Sequence, residues 1–190
     1  MAVGAEMLVE EFEAIASGAP ETVTLEFIGG RLGVKRGADG NRGTIMAWLT
    51  RRCMQARPEL DVYHGRGLRV AAYRQGRAMP DAVLAPEAHF AGHGEWADPD
   101  GVLMVVEVTS YDSDTDRRHR YEKPAAYGQA EIPVYLLIDR DARTVTVHSS
   151  PDREIGGYRA AHTAKFGEKV LLPAPVGIEL DTEILKNYVR

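Results

Sequence analysis

Pro80-Asp81-Ala82-Val83-Leu84-Ala85 and Val102-Leu103-Met104-Val105-Val106-Glu107-Val108-Thr109 each set one carboxylate in a run of residues that otherwise favours burial. Both read as strands. Val102 to Val106 is a continuous apolar run of the kind found in a strand covered on both faces, and it ends at an acid instead of a turn residue. An unpaired carboxylate buried there is costly or takes up a proton, so Glu107 needs a cation, a strong donor or a route to water. Asp81 raises the same requirement at the start of its strand, where Pro80, lacking an N–H, suits a first or edge position. If the two strands are neighbours the acids meet, and their geometry is that of a metal site.

Outward from these strands, Thr44 to Ala56 follows a polar, glycine-rich loop and carries Ile45, Trp48, Leu49, Cys53 and Ala56 on one helical stripe. A second principal helix spans 116–128, with Tyr121, Ala125 and Tyr127 inward and Pro124 at a kink or turn boundary. Residues 5–16 form an amphipathic helix with Leu8, Phe12 and Ile15 at helical spacing. Thr22 to Ile28 and Arg31 to Lys35 make a hairpin about Gly29-Gly30. Glu26 alternates with apolar neighbours and so points to the face opposite theirs, which is either solvent or the vicinity of the two acids. Leu60 to Tyr63 and Leu68 to Tyr73 read as strands joined in a hairpin at His64-Gly65-Arg66-Gly67. Ile132 to Asp139 is a buried strand, followed by Thr144 to His148, short edge strands at 158–162 and 169–172, and a short helix at 182–188. Strands interleaved with two principal helices predict one α/β domain over residues 1–190: a mixed β-sheet flanked by helices, with an N-terminal helix and β-hairpin.

Composition narrows the function. The 190 residues are 44% hydrophobic and 27% charged, enough to bury one sizeable core. No apolar run approaches the ~20 residues of a membrane helix, the start from Met1 to Glu13 is unlike a secretory signal, and Cys53 is the only cysteine. The expectation is a cytoplasmic protein with no disulfide and no multi-cysteine zinc site. His89 and His93 have helical spacing, but the glycines around them favour a loop, a flap at the edge of a cleft, over a zinc pair. A Gly-x-Ser-x-Gly elbow and a P-loop are both lacking, which counts against the serine-hydrolase and nucleotide-kinase readings. A net charge of −5 and pI near 5.7 count against a protein that coats nucleic acid indiscriminately. Residues 51–77 nonetheless hold seven arginines, Arg51 and Arg52 among them, against two acids, and Arg117, Arg118 and Arg120 form a second cluster. Each cluster is a solvated face or, beside a metal site, a phosphate contact.

The order of Pro80-Asp81-Ala82-Val83, Val106-Glu107-Val108-Thr109-Ser110, Glu122-Lys123-Pro124-Ala125-Ala126-Tyr127 and Ile132 to Asp139 resembles the PD-(D/E)XK nuclease superfamily, and within it the Uma2 family, or DUF820. The resemblance is strongest over 80–148 and extends to 22–56. It implies a restriction-endonuclease-like fold and a metal-dependent endonuclease acting on nucleic acid, DNA first, with a homodimer left open. It also implies Mg²⁺ or Mn²⁺ held by Asp81, Glu107 and the backbone carbonyl of Val108, with Glu26 as a supplementary acid. The superfamily's lysine two residues after the second acid is Thr109 here, and Lys123 on the following helix is its replacement or else a solvated helix lysine. Two further departures are Asn41-Arg42 where family members commonly carry a histidine, and His119 where an acid often stands. A nuclease-fold module that binds nucleic acid or protein without catalysis is the alternative function.

Overall fold

The structure, a computed structural model, describes residues 7–70, 75–109 and 117–189. Helix α1 (Val9–Gly18) leads into the hairpin of β1 (Thr24–Ile28) and β2 (Arg31–Lys35), then α2 (Gly40–Ala56). Strands β3 (Leu60–Tyr63), β4 (Gly67–Arg69), β5 (Arg77–Ala78), β6 (Ala82–Pro86), β7 (Trp96–Ala97) and β8 (Met104–Val108) follow. A π-helical turn (Arg118–Glu122) runs into α3 (Lys123–Gln129). The chain continues through β9 (Val134–Asp139), β10 (Thr144–Asp152), β11 (Gly157–Lys165), β12 (Lys169–Leu172) and β13 (Ile178–Asp181) to a 3₁₀ turn (Glu183–Tyr188).

Six strands form a mixed sheet in the order β11-β10-β9-β8-β6-β3, with β8 and β9 parallel and the other pairs antiparallel. The two acid-bearing segments are therefore neighbours, and Asp81, just before β6, donates its N–H to the Val106 carbonyl at 3.0 Å. β8 and β9 are buried along their whole length, as continuous apolar runs require. Their alternation divides the core. Val106, Val108, Leu136 and Ile138 pack on one face with Ile45, Leu49 and Cys53 of α2, whereas Val105, Tyr135 and Leu137 pack on the other with Ala126 and Tyr127 of α3. Side chains two apart share a face, so Glu107 lies on the α3 side with Val105.

A second, five-stranded sheet, β2-β1-β5-β4-β7, packs over that same face through Ile28, Leu68 and Ala78. Its existence corrects the expected 60–73 hairpin: β3 pairs with β6, while β4 pairs with β5 and β7 in the other sheet. The Gly65-to-Gly67 link is thus a crossing between sheets. Gly67 is required there, because a Cβ would lie 2.7 Å from both the Glu95 carbonyl and the Trp96 ring. The tail of the expected strand, at 71–73, lies outside the described residues, as do the starts of the first and last long helices at 5–6 and 116.

Other boundaries moved for identifiable reasons. α2 begins at Gly40, four residues before the expected start, because Asp39 caps it by accepting from the Arg42 N–H at 2.9 Å. In α1 only Phe12 of the expected stripe is buried, against Phe27, while Leu8 and Ile15 stay exposed. Tyr121, expected inside, is 72% exposed. The π turn is the cause. Pro124 has no N–H to continue the helix, and the i to i+5 bond from Lys123 N–H to the Arg118 carbonyl shifts the helical phase one residue ahead of it. His119, Lys123 and Tyr127 then share the inward stripe. β11, expected as a short strand, runs for nine residues as the outer strand of the main sheet, mostly exposed, with Ala164 alone buried.

Candidate active site

Asp81 and Glu107 converge, as the strand reading required, and both are nearly sealed, at 5% and 0% side-chain exposure. What joins them is an ammonium. Lys35, the last residue of β2, forms an ion pair with Asp81 Oδ1 at 2.6 Å and donates to Glu107 Oε2 at 3.1 Å and to the Met79 carbonyl. The remaining valences are also taken. Arg42 grips Asp81 in a fork, with Nε to Oδ2 at 3.2 Å and Nη2 to Oδ1, and the Val108 N–H donates to Oδ2 at 2.8 Å. Glu107 Oε1 accepts from the Tyr127 hydroxyl at 2.7 Å and from Lys123. His119 Nε2 lies 3.2 Å from Glu107 Oε2 without hydrogen-bond alignment.

Glu26 belongs to this cluster. It is 3% exposed, and its Oε1 accepts from Lys123 Nζ at 2.9 Å and from the Met79 N–H at 2.8 Å. Of the two faces left open by alternation, the inward one holds, because the second sheet covers what would otherwise be solvent. Asp81, Glu107 and Glu26 thus face Lys35, Lys123 and Arg42, a set in which permanent charges balance.

Electrostatics keep Asp81 and Glu107 ionised. Burial pushes the Asp81 carboxyl upward, but Lys35 and then Arg42 outweigh burial and the repulsion of Glu107, holding it below its ordinary value. Burial opposes ionisation of Glu107 as well, yet Lys123, Lys35 and His119 hold it well below the carboxylate range. For Lys35 burial disfavours the ammonium, and Asp81, Glu107 and Glu26 more than restore it, so its affinity for the proton is raised. Burial, followed by the Glu107 charge, drives the Tyr127 hydroxyl upward and keeps it a donor.

A second layer fixes the first. The fully buried Arg140 reaches Asp39 through two bonds of 2.9 and 2.7 Å, and its Nε donates to the Thr109 carbonyl at 3.0 Å. The Thr109 hydroxyl accepts from the Arg140 N–H at 2.9 Å. Thr109, standing where the superfamily has its lysine, therefore ties the end of β8 to Asp39, the cap of α2, and so to Arg42. Hydrogen bonding from Arg140 holds the Asp39 carboxyl below its ordinary value.

A cleft of about 500 Å³ opens onto the cluster, lined by Lys35, Arg36, Arg42, His64 and Asp81 among others. Glu107, Glu26 and Lys123 lie behind these residues. Among the described residues, neither arginine cluster lines the cleft. Arg118 reaches over Gly33 to the Leu32 carbonyl at 2.9 Å, and Arg120 forks onto Asp139 at 2.7 and 3.0 Å. Arg52 bonds Gln55 at 3.3 Å near Asp181 and Glu183, and Arg51 and Arg117 are exposed. The 86–101 segment contributes no lining residue either, its His89 and His93 rings packing on Phe90. Sequence reasoning missed Lys35 and Arg42 as site residues. Arg42 carried a faint signal, a charged residue three past an Asp cap; Lys35, at the end of a hairpin, carried none.

Among the described residues no group of three or more His, Cys, Asp or Glu side chains is arranged to hold a metal ion. The donors that do converge, two carboxylates and the Met79 carbonyl, are hard oxygens of the type that suits Mg²⁺ or Mn²⁺, and the Val108 peptide lies against Asp81. By donor chemistry the set fits a divalent cation. Its present occupant is Lys35.

The Uma2 family model, described as "Putative restriction endonuclease", matches residues 9–183, beyond both ends of the 80–148 stretch where the resemblance is most apparent. No curated protein matches. A solved structure from Anabaena variabilis ATCC 29413, described as "a putative nuclease belonging to DUF820", superimposes with a TM-score of 0.70 at 16% identity, over 96% of this chain and 98% of that one. At that identity the likeness is one of fold. No helix among the described residues is long and apolar enough to cross a membrane.

Proposed function

The chain belongs to the Uma2 family, and from that premise we propose that it is a cytoplasmic endonuclease hydrolysing phosphodiester bonds of DNA with Mg²⁺ or Mn²⁺. The observation that carries this reading is the convergence of the Asp81 and Glu107 carboxylates, Asp81 lining a cleft and Glu107 buried behind it, where the wall presents Lys35, Arg36 and Arg42. An acid pair to hold a cation then lies beside basic residues that would receive a phosphate.

Asp81, Glu107 and the Val108 carbonyl would hold the ion. Bound there, it would supply an activated water and neutralise charge on the phosphoryl oxygens and the leaving alkoxide. The chain's own groups do the rest. Arg42 and Val108 N–H fix the Asp81 carboxylate in orientation, while Tyr127 and Lys123 fix that of Glu107. Lys123, fully buried between Glu26 and Glu107, acts as a positioning residue, keeping Glu107 charged and aimed; Glu26 in turn balances Lys123. Arg36 and Arg42 meet the phosphate from the wall, before the more distant arginines do.

One observation favours the alternative, a nuclease-fold module that binds without cleaving: all four oxygens of the acid pair already have protein donors. A purified-protein panel of single- and double-stranded DNA and RNA with Mg²⁺, Mn²⁺ or chelator separates the readings. Cleavage of DNA that disappears with chelator and falls steeply with salt is expected. Cleavage that survives in Glu107→Ala overturns the assignment, and binding without cleavage in the wild type selects the module.

A further inference from the structure

The Lys35 ammonium sits between the two acids, in an ion pair with one oxygen of Asp81 at 2.6 Å and with hydrogen bonds to one oxygen of Glu107 and to the Met79 carbonyl. We propose that Lys35 is a built-in occupant of the divalent-cation seat, so that metal binding is a displacement in which its ammonium is expelled into the cleft. The inference rests on the reading of Asp81 and Glu107 as the ion-holding pair.

Occupancy by both is excluded. A divalent ion of the Mg²⁺ class sits ~2.1 Å from its oxygen ligands. An ion touching the same Asp81 and Glu107 oxygens would occupy the volume that Nζ fills, with like charges in contact and little water to screen them. Charge bookkeeping points the same way. The three acids are matched by three permanent cations, so the cluster is neutral without a metal and accepts one readily only if a resident cation leaves.

Only Lys35 has a way out. Lys123 is walled in at 0% exposure, between Glu26 and Glu107 and beside Tyr127. Arg42 is pinned by its fork on Asp81 and by the Arg36 carbonyl at 3.2 Å. Lys35 sits on β2, an outer strand of the smaller sheet, and its side chain lines the cleft. A flexible four-carbon stem lets the ammonium swing while the strand stays paired. Once expelled it faces the space assigned to the phosphate backbone. A bound polyanion would draw it outward and free the seat, so nucleic acid and metal would each raise the other's affinity.

The test is Mn²⁺ binding by calorimetry, without nucleic acid, to wild type, Lys35→Met and Lys35→Arg. Removing the resident charge should tighten Mn²⁺ binding at least tenfold in Lys35→Met, and Lys35→Arg should stay as weak as the wild type. Thermal unfolding supplies a second readout, since Mn²⁺ should raise the melting temperature of Lys35→Met more than that of the wild type. Should Lys35→Met fail to fold in the absence of metal, Lys35→Gln serves, and recovery of folding by Mn²⁺ counts in favour. Affinity in Lys35→Met or its substitute Lys35→Gln equal to or below the wild type, or no binding in any of the proteins, overturns the inference. The nuclease reading fails separately. A wild type that cuts DNA while Lys35→Met gains nothing keeps the nuclease and discards the displacement, and tighter binding in a protein that never cleaves does the reverse.

Discussion

Glu107 and Lys123 are both fully buried and make contact, and each also touches another charge of the cluster, Lys35 for the acid and Glu26 for the lysine. Removing one partner from such a set strands the other in a region without water, at a cost of ~3–5 kcal/mol. Glu107→Gln leaves Lys35, Lys123 and Arg42 against Asp81 and Glu26, and Lys123→Met leaves the opposite imbalance. If the two losses simply added, the double variant would forfeit ~6–10 kcal/mol, comparable with the ~5–15 kcal/mol that holds a whole domain together. Charge balance predicts otherwise. The double variant retains two acids and two cations, so its loss should fall short of the sum by ~1–3 kcal/mol, the range of coupling between groups in contact. Equilibrium unfolding in urea at neutral pH measures all four corners of the cycle, with constant m-values as the check that unfolding stays two-state. Single-variant losses that add to within ~0.5 kcal/mol would refute the balanced cluster and leave the two residues as independent packing positions.

Acid should act on the same pair. Asp81 and Glu107 are held below their ordinary values of 3.8 and 4.5, so the stability that they contribute is present above those values and is lost as pH falls through the lower folded-state ones. The stability gap between wild type and Glu107→Gln, measured in urea from pH 7 to pH 3, should therefore be widest near neutrality and shrink in acid; a gap that widens in acid contradicts the assignment. Asp39→Ala removes the α2 cap and strands the buried Arg140, so its cost in urea should exceed the ~1 kcal/mol of a lost cap, and a loss of a few tenths would show that Arg140 finds other partners. In the nuclease reading Lys123→Met, assayed at a temperature where circular dichroism shows it folded, should cut DNA ~10²-fold more slowly with KM little changed. Full rate in the folded variant removes Lys123 from the machinery.

Some of this was legible in the chain alone, because local order writes itself as periodicity. Continuous apolar runs marked β8 and β9 as doubly covered strands, and the acids Glu107 in β8 and Asp81 just before β6 required compensation before any partner was known. The partners themselves were not legible. Lys35 and Glu107 stand 72 positions apart, Glu26 and Lys123 97, and Arg42 and Asp81 39, and no period links residues that meet only when one sheet is laid over another. Alternation allowed Glu26 two directions; the covering sheet chose the inward one. The arginine clusters misled for the complementary reason, since density of charge along a chain says nothing of which way each side chain is turned, and Arg118 and Arg120 were turned to the Leu32 carbonyl and Asp139. Sequence determined where burial would demand a countercharge, because burial follows from local pattern; tertiary structure alone decided which cations answered, because that choice depends on distances between elements that the chain brings together only on folding.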